Sequence, residues 1–242
     1  MGMAVSIDVR DTTREDPDAA AAVQAVVDWL HHVDAVFSPF DPESVISGMN
    51  RGRGVRTPAE VDVVLTLGER LRLDTDGYFD IRAGGNLDPC GIVKGWAVER
   101  ASALLLGRGF GVHCINAGGD IRARGRSWQV GIAHPIVAGA FTDVVVVEDG
   151  AVATSGVAER GAHVINPRTG RAALDLASVT IVGPDLTFAD VYATAALAMG
   201  LDAPAWLGTL EGYEALVIDA AGMVWCTEGW RSLGTRAPTP VH

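Results

Sequence analysis

The chain has 242 residues, enough to bury a sizeable core, and we expect one domain over residues 1–242 because α+β folds of this length often share a single core. Its 30 acidic and 19 basic residues give a formal net charge of -11, which repels nucleic acid and anionic lipid. Cys90, Cys114 and Cys226 are widely spaced and form no CxxC motif, which favours reduced thiols. No signal-peptide pattern and no apolar run of roughly 18 residues is present, so the sequence predicts a cytoplasmic protein without membrane insertion.

The first third of the sequence reads as a strand followed by amphipathic helices. Residues 4–10 alternate apolar and polar side chains, as strands do. Asp16 and Pro17 then have the N-cap and first-turn pattern of a long helix. Thr57 and Glu60 stand at capping-box spacing and predict the start of a second helix.

The next segment combines one more helix with a series of short strands. Asp88 and Pro89 repeat the cap pattern and predict a helix that runs to about Gly107. Strand-like runs follow at residues 112–116, 128–132, 141–148, 151–154, 163–166 and 178–182. We expect these strands to pair as neighbours in one antiparallel sheet.

The C-terminal part predicts one helix and one hairpin. Thr187 and Asp190 could form the cap at the start of a helix, and Gly200 marks the end of that helix. Residues 214–227 read as two strands that turn at Ala221-Gly222. Helices interleaved with hairpin-like strand groups predict the α+β class rather than a doubly wound parallel sheet.

Two segments could bind a phosphorylated ligand. In Asp88-Pro-Cys-Gly-Ile-Val-Lys94-Gly95 the start of a helix attracts negative charge and Lys94 adds a cation, although the same pattern describes a capped helix with an exposed lysine. In residues 115–125, Gly118 and Gly119 permit positive φ angles or close approach of a ligand, or simply a tight hairpin turn. The glycine pair is not GxGxxG, which disfavours a Rossmann site.

Two further segments could supply catalytic or metal-binding groups. His163 lies in the sequence HVINPRTGR and is either a packed, hydrogen-bonded histidine or a candidate base. Asp190 and Thr194 stand four residues apart on one helix face, and such oxygen ligands suit magnesium. The alternative is that Asp190 caps the helix and Thr194 bonds to the backbone.

Taken in order, these segments resemble the ApbE family of FAD:protein FMN transferases over almost the whole chain. The resemblance rests on VDAVFSPFDPESVISGMNRG (33–52), GYFD (77–80), DPCGIVKGWAVER (88–100), NAGGD (116–120), ATSG (153–156), HVINPRTG (163–170) and ADVYAT (189–194). It implies an α+β, T-fold-like architecture with a mainly antiparallel sheet and packed helices.

The resemblance also implies a set of site residues. The implied FAD contacts are Phe40, Tyr78, Phe79, Asp80, Asp88, Lys94 and Ile165. Magnesium would be held by the Gly91 carbonyl and by the side chains of Asp190 and Thr194. The sequence departs from the family pattern in a short 81–87 segment, in Asn166 where the family usually has Asp, and in Met1, which stands where a methionine near the adenine is expected.

The implied activity is the magnesium-dependent transfer of FMN from FAD to a Thr or Ser hydroxyl of an acceptor flavoprotein, with release of AMP. His163 is the candidate base for the acceptor hydroxyl. Two alternatives remain open: an FAD pyrophosphatase that yields FMN and AMP, and a non-catalytic FAD-binding protein.

Overall fold

The computed structural model describes residues 2–13, 15–54, 56–157 and 164–234, and it has the α+β architecture predicted from the sequence. The α-helices are α1 (Pro17–Phe37), α2 (Val45–Asn50), α3 (Ala59–Asp74), α4 (Cys90–Leu106), α5 (Leu186–Met199), α6 (Ala203–Leu207) and α7 (Trp230–Leu233), and a 3-10 turn (Gly200–Asp202) joins α5 to α6. The strands are β1 (Val5–Val9), β2 (His113–Ala117), β3 (Asp120–Ala123), β4 (Trp128–Ala133), β5 (Phe141–Val147), β6 (Gly150–Gly156), β7 (Leu176–Gly183), β8 (Glu214–Asp219) and β9 (Val224–Cys226).

The described strands form two sheets rather than the single sheet that we expected. Seven of them pair in the order β1-β2-β3-β6-β7-β8-β9, and each neighbouring pair is antiparallel. Strands β4 and β5 pair only with each other and form a separate two-stranded sheet. Strand β6 pairs directly with β3, so the hairpin between them in the chain has no place in the main sheet. Alternation within each strand predicts that it is a strand but not which partner it pairs with.

Each face of the main sheet is covered by a different layer. In β6, Ala151 and Ala153 belong to the large core shared with the helices, whereas Val152 belongs to a second core with β4 and β5. Because successive side chains of a strand point to opposite faces, the helices lie on one face and the β4–β5 hairpin on the other. Trp230 closes the second core and donates its indole N–H to Asp143 Oδ2 at 2.8 Å.

Helix starts were predicted with mixed success. The Asp16 side chain accepts the N–H groups of Asp18 and Ala19, so the predicted cap of α1 is confirmed. The predicted capping box before α3 is wrong, because Pro58 occupies the N-cap and no side chain caps the helix, while Glu60 contacts His32 Nε2 at 2.6 Å.

The cap of α5 was also assigned to the wrong residues. Asp185 is the N-cap and accepts the N–H groups of Thr187 and Phe188, so Asp190 lies inside the helix. Gly200 ends the helix with φ 68°, as the sequence predicted.

Two strand predictions also need correction. Within residues 164–166, only an isolated bridge from Ile165 to Ala172 is present, and a turn at Asn166–Gly170 follows. Strand β3 was not predicted, because a four-residue strand directly after a glycine turn has too few alternating positions to be recognised.

Candidate functional site

The candidate site lies where α4, β3 and α5 meet on the helical face of the main sheet. Lys94 of α4 places its Nζ 2.5 Å from Asp120 Oδ2 of β3 and 3.2 Å from Asp190 Oδ1 of α5. Three segments that are far apart in the chain therefore converge on one ammonium group. The pairing of Lys94 with Asp190 brings together two residues that the sequence analysis assigned to FAD and to magnesium respectively.

Lys94 is a partly buried cation and not the exposed lysine of an ordinary capped helix. Its side chain is only 20% exposed. Burial would lower the pKa of Lys94, but the charges of Asp190 and Asp120 outweigh that effect and raise this pKa above its usual range. The ammonium is therefore charged at any physiological pH.

The two carboxylates are the most deeply buried charges of the site. Asp120 is 1% exposed and Asp190 is 3% exposed. Burial raises the pKa of each carboxyl group, and the charge of Lys94 acts in the opposite direction. The ammonium offsets only part of this effect, so the pKa of each carboxyl group stays above its ordinary value, at about 7 for Asp190.

Asp190 is held by backbone as well as by Lys94. Its Oδ2 accepts the N–H of Gly95 at 3.2 Å, across the contact between α4 and α5. A Cβ at position 95 would lie 2.6 Å from the Leu186 carbonyl oxygen and 2.9 Å from Thr187 Cα, so only glycine permits this approach. Asp190 is therefore a buried side chain inside α5 and not the cap of that helix.

The other proposed metal ligands lie one helical turn from Asp190 or from its partner Gly95. Thr194 follows one turn later on α5, and its Oγ1 lies 3.1 Å from Ser155 Oγ of β6. Gly91 lies one turn before Gly95 on α4, and a Cβ there would lie 2.9 Å from Phe79 Cε2. The Gly95 N–H, which a regular helix would direct to the Gly91 carbonyl, is engaged by Asp190.

The residues predicted to contact FAD differ in how much surface they offer. Phe40 is 86% exposed in the loop between α1 and α2, whereas Phe79 is 5% exposed and supports the start of α4 through Gly91. Tyr78 is half-buried, and the Arg168 guanidinium lies 4.8 Å from the centre of its ring. Ile165 is 46% exposed beside the turn that carries Arg168.

The short segment before α4 is ordered by its own polar groups. The Asp80 carboxylate accepts the N–H of Arg82 at 2.8 Å, and the Asp88 carboxylate accepts the N–H of Cys90 at 3.0 Å. The Asp88 N–H donates to the Ile81 carbonyl at 2.8 Å and closes the segment. Helix α4 starts at Cys90, so Pro89 occupies the N-cap that we had assigned to Asp88, yet the Asp88 carboxylate still binds a free N–H at the helix start.

Asn166 has a structural function that the sequence did not indicate. Its Oδ1 accepts the N–H groups of Arg168 and Thr169, and its Nδ2 donates to the Ala198 carbonyl at 2.8 Å. A carboxylate at this position would have no proton for that carbonyl. In this chain the asparagine that replaces the family's usual Asp therefore supplies a hydrogen-bond donor to the end of α5.

Two residues named in the sequence analysis lie outside the described residues. His163, the candidate base, belongs to the segment 158–163, and Met1 is also outside the described ranges. The assignment of His163 rests on its position in HVINPRTG.

Asp120 and Ser155 are site residues that we did not select from the sequence. Both lie inside the motifs NAGGD and ATSG. We interpreted the first motif as a glycine turn and the second as polar groups near the end of a strand. One signal was available for their partner, because Lys94 is the only lysine of the chain. All the other Lys or Arg positions of the chain are arginine, which suggests that position 94 requires the compact ammonium group of lysine.

Comparisons with known proteins agree on one family. The family model described as the ApbE family matches residues 1–86 and 82–217. The FAD:protein FMN transferase of Treponema pallidum (strain Nichols) is 35% identical over 161 residues, which cover 57% of this chain and 44% of the relative. The protein of the same name from Rhodobacter capsulatus is 27% identical over 197 residues, which cover 76% of this chain and 35% of the relative. The chain thus spans less than half the length of these curated relatives.

Solved structures share the fold. The ApbE protein of Thermotoga maritima MSB8 matches with a TM-score of 0.87 and 22% identity over 97% of both chains. The flavin transferase ApbE from Vibrio cholerae matches with a TM-score of 0.84 and 19% identity over 96% of both chains. In the described part of the chain, no helix is both long and apolar enough to span a bilayer.

Replacement of Lys94 by methionine should destabilise the protein, contrary to the expectation for an exposed lysine. The variant leaves Asp120 and Asp190 buried together without their cation, and loss of one partner of a buried ion pair costs about 3–5 kcal/mol. Urea unfolding in the presence of a chelator measures the loss. The control is Arg10→Met, because the exposed Arg10–Asp8 pair should contribute less than about 1 kcal/mol. Equal stability of the two variants would contradict the assignment of a buried ion-pair cluster.

Replacement of Asn166 by aspartate should also lower stability, although it restores the residue usual in the family. The aspartate keeps the acceptor for the turn but loses the donor to the Ala198 carbonyl, at the negative end of a helix, at a cost of about 1–3 kcal/mol. Thermal unfolding of Asn166→Asp is compared with that of Asn86→Asp, which changes an exposed loop residue. An unchanged midpoint would show that the Ala198 contact contributes nothing.

Proposed function

Because this chain belongs to the ApbE family, we propose that it transfers FMN from FAD to a Thr or Ser hydroxyl of an acceptor flavoprotein and releases AMP. Support comes from the curated relatives named FAD:protein FMN transferase, and from one observation in the structure above all. That observation is the convergence of Lys94, Asp190 and Asp120 at a partly open position between α4 and α5. A lysine held beside oxygen ligands suits a pyrophosphate and its metal ion.

The proposal includes magnesium, and the oxygen groups at the site suit that ion. The donors would be the Gly91 carbonyl, the Asp190 carboxylate and the Thr194 hydroxyl. Thr194 can donate its proton to Ser155 Oγ, which leaves its lone pairs for a cation. Within the described ranges no group of three or more His, Cys, Asp or Glu is arranged to hold a metal ion, so bound magnesium would depend on a carbonyl, a hydroxyl and substrate oxygens in addition to Asp190. Magnesium commonly binds one or two carboxylates together with substrate phosphates.

FAD would be bound by charge at one end and by aromatic and apolar surface at the other. Lys94 and the N–H groups at the start of α4 would face the pyrophosphate, with Asp88 at the same helix start. Phe40, Tyr78 and Ile165 offer exposed apolar or aromatic surface for the ring systems. Asp80 would offer acceptor oxygens to FAD, and Phe79 would pack against Gly91 at the start of α4.

The reaction is a phosphoryl-type transfer in which positioning and charge neutralisation supply most of the rate. The acceptor hydroxyl oxygen forms a bond to the FMN-side phosphorus, the bond from that phosphorus to the bridging oxygen breaks, and AMP leaves with the bridging oxygen. Bound magnesium would neutralise charge on the pyrophosphate. Lys94 would orient the same pyrophosphate through its ammonium group, and His163 would accept the proton of the acceptor hydroxyl.

The acceptor is proposed as a flavoprotein with an accessible Thr or Ser in an FMN-binding domain. If water took its place, the same site would act as an FAD pyrophosphatase, and a site without turnover would leave FAD intact. The odd set of widely spaced cysteines favours a reducing compartment, so a cytoplasmic location is part of the proposal.

Incubation with FAD, magnesium and candidate acceptors should produce a protein-linked flavin and one AMP for each FMN transferred. Mass spectrometry of the acceptor and chromatography of the nucleotides measure both products. Chelation of the metal should abolish transfer, and Thr194→Val should lower turnover about 100-fold or more, because the metal that would neutralise transition-state charge loses one of its ligands. Free FMN without labelled acceptor would indicate the pyrophosphatase, and unaltered FAD would contradict both activities.

Replacement of His163 by alanine tests the proposed base. A positioned base contributes about 10²–10⁴-fold, so turnover should fall by a factor in that range while FAD still binds. Transfer by the unaltered protein should fall at acid pH, because a protonated imidazole cannot accept the hydroxyl proton. The matched control is His134→Ala, on the remote β4–β5 hairpin. Near-normal transfer by His163→Ala across the pH range would remove this residue from the mechanism.

A further inference from the structure

Asp120 is a buried carboxylate whose two oxygens have different surroundings. Its Oδ1 accepts the N–H of Thr154 at 3.1 Å, just beyond the last paired residues of the β3–β6 ladder. Its Oδ2 lies 2.5 Å from Lys94 Nζ, the shortest ion-pair distance at the site. The side chain is therefore fixed to the sheet through one oxygen and presents its other, buried oxygen to the lysine.

Asp190 lies farther than Asp120 from the same ammonium, and it also accepts a backbone N–H. Its Oδ2 is engaged by the Gly95 N–H, and its Oδ1 lies 3.2 Å from Lys94 Nζ. If Asp190 also binds magnesium, as the proposed function requires, the metal would compete with the lysine for the same carboxylate. Asp120 is then the partner that can keep the ammonium in position.

We propose that Asp120 is a positioning residue, which anchors the Lys94 ammonium to the sheet so that the lysine stays at the pyrophosphate position when Asp190 coordinates the metal. The lysine side chain has four rotatable bonds and loses rotamer entropy when it is fixed. A rigid anchor on β3 removes that entropy before FAD arrives. The anchoring itself depends only on the contacts described here, whereas its consequence for FAD rests on the proposed function.

A double-mutant cycle tests the consequence for FAD. Asp120→Asn keeps the shape of the side chain and an acceptor for Thr154, but removes the charge that holds Lys94. At saturating magnesium and without acceptor, Asp120→Asn and Lys94→Met should each weaken FAD binding about tenfold or more, the value of a charge-assisted contact. The double variant should bind FAD no more weakly than Lys94→Met alone. If the two losses multiply, the residues act independently and the proposal is overturned.

The control for this cycle is Glu99→Gln, which changes another buried carboxylate of α4. Glu99 pairs with Arg122 and not with Lys94, so its effect on FAD binding should multiply with that of Lys94→Met. If Asp120→Asn fails to fold, Asp120→Ser takes its place, because it also removes the charge and leaves a smaller polar group. Flavin fluorescence measures binding in all variants.

A second measurement does not depend on FAD or on metal. Lys94 is the only lysine of the chain, so untagged protein labelled with ¹⁵N-lysine has a single side-chain ammonium signal. Exchange of the ammonium protons with water should accelerate about tenfold or more in Asp120→Asn, because the closest charged partner is lost. Unchanged exchange would overturn the anchoring. Failure of the unaltered protein to bind FAD, with accelerated exchange in the variant, would reject the proposed function and retain the anchor.

Discussion

The pairing of one ammonium with two buried carboxylates is the interaction on which the site depends. Each of the three charges would lose several kcal/mol on leaving water if it were unpaired. Their residues come from α4, β3 and α5, so all three elements must dock together before any of the charges is compensated. The cluster therefore links the packing of the helical layer to the chemistry of the site, and it does so within a protein of formal net charge -11.

A second ion pair on the same elements restricts how α4 can lie on β3. Glu99 lies five residues after Lys94 on α4 and pairs with Arg122, which lies two residues after Asp120 on β3. The helix thus presents a cation and then an anion, and the strand presents an anion and then a cation. A helix shifted along the strand would separate both pairs at once, so together they favour the observed register. Glu99 also accepts the N–H of Leu186 at 2.6 Å and fixes the start of α5 against the same junction.

Close approach of the two helices complements this electrostatic constraint. The absence of a side chain at Gly95 lets α5 pack against α4 at backbone distance, and the Gly95 N–H reaches the Asp190 carboxylate. The β4–β5 hairpin covers the opposite face of the sheet with an apolar layer of its own. The sheet is consequently buried on both sides, and a carboxylate attached to it through Thr154 is held by a rigid support.

By itself the sequence determined the class of fold and most of the elements, and it drew attention to Lys94 and Asp190, which the structure brings together. Asp16, Pro17 and the glycine turns act through their nearest neighbours, so their local effects were predictable from sequence pattern. Local pattern failed where a distant partner competes: Glu60 contacts His32 in place of capping α3, and Asp185 caps α5 in place of Asp190.

Only the tertiary structure decided that Lys94 and Asp190 are buried together, and that Asp120 completes their cluster. The sequence recorded the three residues in separate motifs, and the family resemblance assigned functions to Lys94 and Asp190 alone. Their charges become a site because burial makes each of them dependent on partners that are distant in the chain. Such dependence has no period and no fixed spacing in a sequence, since it arises when separate elements pack against one another.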